Sequence, residues 1–220
     1  MDRTAVYIVC SPRPRVGKTL LCRLLTEYLV ARHGGVAAFD LAANEPSLLD
    51  YLPQWTETAE IGDTFGQIQL MDRLIVNDGV PKVLDLGSGP FEGFFKMCEQ
   101  IGFSREAKLQ GVVPLVLYVL GSDTASSRGY KMLQRMFPQS ALVPVNNESI
   151  LYGETPRWIG SARTLDIGLL PDFLKGYVGK TEFSFSAFAQ NKSNKSSELY
   201  DWIRDIFLHF REIELQLMLR

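Results

Sequence analysis

The 220-residue chain has only two histidines, His33 and His209, and three cysteines, Cys10, Cys22 and Cys98. Neither set has the spacing of a metal site, and three widely separated thiols exclude a disulfide framework; they read as reduced, buried cysteines. His33, just ahead of Gly34-Gly35, suits a helix C-terminus, and His209 stands alone in the last helix. Long hydrophobic runs are missing too. The longest, Val112 to Leu120, falls well short of the roughly 20 residues that span a bilayer. Nor is there an excess of positive charge: 23 Lys and Arg stand against 25 Asp and Glu, so no general electrostatic pull draws the chain to DNA or an acidic membrane. Met1 leads into an apolar strand without a signal-peptide pattern, and the chain is expected to be soluble and cytoplasmic.

What is present is enough apolar side chain, 46% of residues, to bury a sizeable core in one domain over residues 1–220. Short apolar runs read as strands at Ala5–Cys10, Val36–Asp40, Lys82–Leu86, Val112–Leu120, Ala141–Val145 and Leu165–Ile167. Helical spacing marks Gly17–His33, Phe91–Gly102, Ser126–Phe137 and Glu198–Leu219, with shorter helices over Leu70–Val76 and from about Pro171. Pro53–Gly66 reads as an exposed excursion, Phe183–Phe188 is ambiguous, and "NKSNKSS" is a polar linker. Strand and helix alternate throughout, which predicts an α/β fold: a mostly parallel sheet with helices on both faces.

The stretch "SPRPRVGKTLL" joins the first strand to the first long helix. A phosphate-binding loop reads G-x-x-x-x-G-K-[ST] in that context. Here Pro12 takes the place of the first glycine, and neither Pro12 nor Pro14 has an N–H to offer. Arg15, Val16, Gly17, Lys18 and Thr19 still supply consecutive backbone donors at the positive end of a helix. Gly17 permits close approach of a phosphate, Lys18 can reach the terminal phosphates, and the Thr19 hydroxyl can ligate magnesium. Arg13 and Arg15 add cations where small residues are usual. Asp40 and Asp85 each close a predicted strand, the edge of an open sheet where ligands gather. One suits magnesium held through water and the other the attacking water; singly, each also suits a turn or cap.

Four stretches resemble the ParA/MinD family of P-loop ATPases, part of a group that includes dethiobiotin synthetase and related amide-forming enzymes. They are "RPRVGKT" against K-G-G-V-G-K-T, "AAFDLAANEPSLLDYL" against a strand followed by D-x-D-P-Q, "VLDLGSG" against the Walker B strand, and "ALVPVNN" against the late strand whose asparagine faces the base. The likeness runs to about Asp172 and implies a P-loop NTPase domain that binds ATP and Mg2+. It implies that Lys18 and Thr19 bind phosphate and magnesium, Asp40 positions or activates water, and Asp85 holds magnesium through water. Gly89 would sense the third phosphate, and Asn146 or Asn147 would contact adenine. The family's signature lysine, which reaches the partner subunit's nucleotide, is Arg13 here; two loop glycines are Pro14 and Arg15, and the second acid of D-x-D is Ala42. These departures bear on hydrolysis more than on binding. The expectation is a slow ATPase or a switch that forms a homodimer over ATP and regulates a protein partner. Two alternatives stay open: a small-molecule ligase or kinase on the same fold, and an interaction module whose loop has lost its nucleotide.

In the last helix Leu199, Ile203, Ile206, Phe210, Ile213 and Leu217 form an apolar stripe. The opposite face mixes Asp201, Arg204, Asp205, Arg211, Glu212 and Glu214 without the cationic excess of an interfacial helix, so the stripe is expected to pack on the sheet. Trp55 either serves a partner or anchors its loop, and "GSDTASSR" reads as a strand-to-helix turn with capping residues.

Overall fold

Side chains alternate across a strand, and here both sides are apolar. In β1 (Thr4–Cys10), Tyr7 and Val9 join one buried cluster while Val6, Ile8 and Cys10 join another on the opposite face. Such a strand is stable only when covered twice. The computed structural model of the chain describes residues 3–42, 47–152, 154–160 and 162–218. After β1 come α1 (Lys18–His33), β2 (Ala37–Asp40), α2 (Leu48–Tyr51), β3 (Thr56–Thr58), α3 (Thr64–Ile75) and β4 (Lys82–Leu86). The chain continues through α4 (Phe91–Ile101), α5 (Phe103–Leu109), β5 (Val112–Val119), α6 (Thr124–Met136), β6 (Leu142–Asn147) and α7 (Glu148–Leu151). It ends with β7 (Leu165–Ile167), α8 (Asp172–Val178), α9 (Phe185–Gln190) and α10 (Glu198–Met218).

The strands make one seven-stranded sheet in the order β3-β2-β4-β1-β5-β6-β7, and every pairing is parallel. The expected α/β fold with helices on both faces is borne out. β1 is central: the chain builds one side of the sheet, then crosses to the other, which leaves a crevice at the carboxyl edge beside β1.

α1 lies against the sheet on one side and against α2, α9 and α10 on the other. It is therefore buried almost all round, with Leu21, Leu24 and Leu29 fully so, each contributing about 1.5–3 kcal/mol. Gly34, in the left-handed region at φ 80°, ends the helix by donating to the Val30 carbonyl. The α10 stripe faces this layer, with Leu199, Ile203, Ile206 and Phe210 buried, so it is a core contact.

Glu214 departs from the reading of the α10 polar face. It is buried, accepts from the Tyr28 hydroxyl at 2.6 Å and pairs with His33 Nε2 at 2.6 Å, which fastens α10 to the end of α1. A carboxylate one position off the apolar seam is pulled inward when partners face it from the next helix.

The Pro53–Gly66 excursion holds more order than its composition signals. Trp55 packs against the core, β3 pairs with the edge of β2, and α3 begins at Thr64 behind an Asp63 cap. A three-residue edge strand with Glu57 and Thr58 exposed carries no apolar run to announce it. Likewise α5 follows α4 directly across Gly102 and buries only Phe103 and Ala107, too few to register as periodicity. All three cysteines are free and buried, and no helix among the described residues is long and apolar enough to cross a membrane.

Candidate nucleotide site

The pleat decides which strand-end residues meet. In β4, Val83 joins the α1-side cluster while Leu84 and Leu86 face away, which turns Asp85 toward α1. Asp40 stands beside Asp85 in the pairing of β2 with β4, and Ala38 in the α1-side cluster puts Asp40 on the same face. Thr19, in the first turn of α1, completes the group: its hydroxyl donates to Asp85 Oδ2 at 2.6 Å. Asp85 Oδ1 is buried and has no hydrogen-bond partner among the described residues. Burial pushes this carboxyl up to about 6; the Thr19 hydrogen bond pulls the other way, the neighbouring Asp40 charge adds to the rise, and Lys18 opposes it.

A buried carboxylate with one oxygen unsatisfied, next to a hydroxyl, is a hard-oxygen site for a cation, and Mg2+ fits it. Asp40 is differently placed. Its Oδ1 accepts from Ala42 N at 2.8 Å and its Oδ2 from Leu49 N at 3.2 Å, so it also organises the loop after β2. Each oxygen retains a lone pair that can accept from water. Within the "AAFDLAANEPSLLDYL" stretch, residues 43–46 lie outside the described residues.

The loop from Ser11 to Gly17 crosses the edge of β1. Arg13, Pro14 and Arg15 are exposed, and Val16 is buried. Arg15 occupies the left-handed region at φ 59°, where the compared pattern has glycine, at a cost of about 1–2 kcal/mol. Gly17, at φ 95°, precedes α1, and a Cβ there would lie 2.6 Å from Asn147 Nδ2. Lys18 is 5% exposed and bends back over the loop, its Nζ donating to the Arg13 carbonyl at 2.7 Å. Burial pulls its pKa down, with the Asp85 charge opposing. Arg13 Nε pairs with Asp123 Oδ2 at 2.6 Å, and Asp123 also caps α6 by accepting from Ser126 N. The "GSDTASSR" stretch, read from its residues as a turn with capping residues, thus also supplies the partner of Arg13.

The two asparagines separate. Asn147, on the α1 side, donates from Nδ2 to the Val16 carbonyl at 3.0 Å and accepts at Oδ1 from Ser149 N at 3.1 Å, so it braces the loop against β6. Asn146 is buried, with Oδ1 unpartnered among the described residues. Gly89 is exposed in the turn after β4, with no atom of the described residues within 4 Å of an added Cβ. The glycine this turn requires is Gly87, where a Cβ would lie 3.0 Å from both Ala42 Cα and the Leu41 carbonyl. A cleft of about 410 Å³ opens beside Thr19 and continues over the ends of β6 and β7, lined by Asn147, Ile150, Ile167, Gly168, Leu170 and Trp202 among others.

The structure thus gathers Arg13, Lys18, Thr19, Asp40, Asp85 and Asn147 at one carboxyl edge of the sheet. No protein-family description matches the chain, and no curated protein matches it. Among solved structures, a chain of the MinC:MinD cell division protein complex from Aquifex aeolicus is similar with a TM-score of 0.58 and 15% identity, over 95% of this chain and 96% of that one. Chloroplast FtsY from Physcomitrella patens reaches a TM-score of 0.44 at 14% identity, over 66% of this chain and 51% of that one. The first likeness, at nearly full coverage of both chains, establishes the architecture: this chain shares the fold of that one, built on an all-parallel seven-stranded α/β sheet.

Proposed function

We propose that the chain is an ATP-binding switch of the ParA/MinD type, a slow Mg2+-dependent ATPase that dimerises over ATP to position or regulate a protein partner. One observation carries this reading. The Thr19 hydroxyl rests on Asp85 at 2.6 Å, with the second Asp85 oxygen buried and unpartnered among the described residues, at the start of the helix that follows the loop. A turn that carried Gly-Lys-Thr by accident would have no reason to bury an unsatisfied carboxylate there.

Residue by residue, the backbone N–H groups of Arg15 to Thr19 bind phosphate, and Lys18 leaves the Arg13 carbonyl for the terminal phosphates. Thr19 and, through water, Asp85 hold Mg2+, which when bound neutralises charge on those phosphates. Asp40 orients water, Gly89 contacts the third phosphate, and Asn147, already braced on the loop, presents the strand end to the base beside Asn146. Arg13 stands where the resembled family has its trans-acting lysine. In this reading its bond to Asp123 breaks when two copies meet. The similar chain from Aquifex aeolicus belongs to a complex with another protein, which fits a protein partner here.

The test is calorimetry with Mg2+ and ATP, ADP or GTP on wild type and Lys18→Ala, with light scattering on the same samples. ATP binding that Lys18→Ala abolishes, with a shift to dimer, is expected. Absence of heat with every nucleotide, at concentrations that detect a Kd of about 100 μM, refutes the reading.

A further inference from the structure

The cleft beside Thr19 points to a role for the C-terminal helix in nucleotide recognition, an inference that rests on the reading above. A ligand whose phosphates lie on the loop before Thr19 directs its nucleoside into this cleft, over the ends of β6 and β7. One wall is α1 with Asn147 and Ile150; the other is the segment leaving β7, Gly168 to Leu170. Leu170 anchors the far end of that wall in the core, but Gly168 has no side chain, so at Gly168 the wall takes its position from what holds its backbone.

Two hydrogen bonds among the described residues hold that backbone. Trp202 Nε1 donates to the Gly168 carbonyl at 2.8 Å, and the indole lies 3.7 Å from where a Gly168 Cβ would stand. The Leu169 N–H donates to the Glu148 carboxylate of α7 at 3.0 Å. Trp202 is itself 9% exposed and part of the α10 seam, which is anchored on α1 by Leu199, Ile203 and Ile206 and fastened farther along by Glu214 to Tyr28 and His33. The helix is a fixed post, and its indole reaches from it to the cleft wall. We infer that Trp202 is a positioning residue for the base: it fixes the Gly168–Leu170 wall without touching the phosphate loop. Losing its N–H leaves the Gly168 carbonyl without this partner and lets the wall drift, which degrades contacts with the base and spares those with phosphate.

The experiment compares Mg2+-ATP with Mg2+-tripolyphosphate, which has the phosphates and no nucleoside, on wild type and Trp202→Phe. The expected result is about a tenfold loss of ATP affinity, about 1.4 kcal/mol, with tripolyphosphate affinity unchanged within about twofold. A second measurement leaves Trp202 and its bond to Gly168 in place. With Trp55→Phe and Trp158→Phe, Trp202 is the remaining indole, and its emission shifts with ATP and not with tripolyphosphate. Equal losses for both ligands, or an unaltered ATP affinity together with an emission indifferent to the nucleoside, overturn the inference while the nucleotide reading stands. Wild type that binds neither ligand overturns both.

Discussion

Asp85 meets Thr19 with one oxygen and buries the other with no partner among the described residues, and burial raises its pKa from 3.8 to about 6. The folded protein therefore holds this proton more tightly than the unfolded chain. Its effect on stability is most favourable below pH 4, and stability falls as pH rises through 6. At neutral pH the ionised, buried group therefore lowers the stability of the ligand-free protein. Asp85→Asn is expected to raise the urea midpoint of the ligand-free protein at pH 7.5 and to flatten its dependence between pH 4 and 7. The same variant should lose the magnesium dependence of ATP binding. Two backbone positions in the loop act in opposite directions. Arg15→Gly removes the left-handed strain and should stabilise by about 1 kcal/mol in urea unfolding. Gly17→Ala should abolish ATP binding in calorimetry, because its Cβ would stand 2.6 Å from Asn147 Nδ2 and displace the brace on Val16.

At the level of elements, α10 is the piece whose role the structure defines most sharply. Its apolar stripe meets α1, and Glu214 adds a buried carboxylate that takes bonds from Tyr28 and His33. Glu214→Ala leaves the buried Tyr28 hydroxyl without this acceptor and should cost about 2 kcal/mol, measured as a lower urea midpoint; Glu214→Gln, which keeps an acceptor for Tyr28, should recover part of the loss. The Arg13–Asp123 pair is a weaker device. Both side chains are more than one-third exposed, so their attraction is worth at most about 1 kcal/mol, small enough to exchange for another contact when the site is occupied.

For the molecule as a whole, the parallel sheet and its two helical layers put Arg13, Lys18, Thr19, Asp40, Asp85 and Asn147, the candidate site residues, at one edge, supported by elements from both ends of the chain. A ligand bound there stabilises the folded state by mass action. Mg2+-ATP at 100 times its Kd should raise the unfolding free energy by about 2.7 kcal/mol. The shift should appear as a higher Tm in a thermal scan and vanish in Lys18→Ala.

Several features were legible without coordinates because they are local. The buried runs of β1, β4 and β5, the helix behind Gly-Lys-Thr, the glycine stop at Gly34 and the α/β class all follow from short-range periodicity and backbone chemistry. So did the choice of Lys18, Thr19, Asp40 and Asp85 as site candidates, since strand ends and helix starts are written in the residues themselves. What tertiary structure alone decided was non-local. Asn147 was set apart from Asn146 by the face of β6 it occupies, Asp123 became the partner of Arg13, Glu214 was drawn into the core, and Trp202 was brought to the wall of a cleft begun by Thr19. Spacing within one element reports its own faces. Which residues from distant elements share a buried space depends on how the layers pack, and that packing satisfies polar groups whose partners lie far away in the chain.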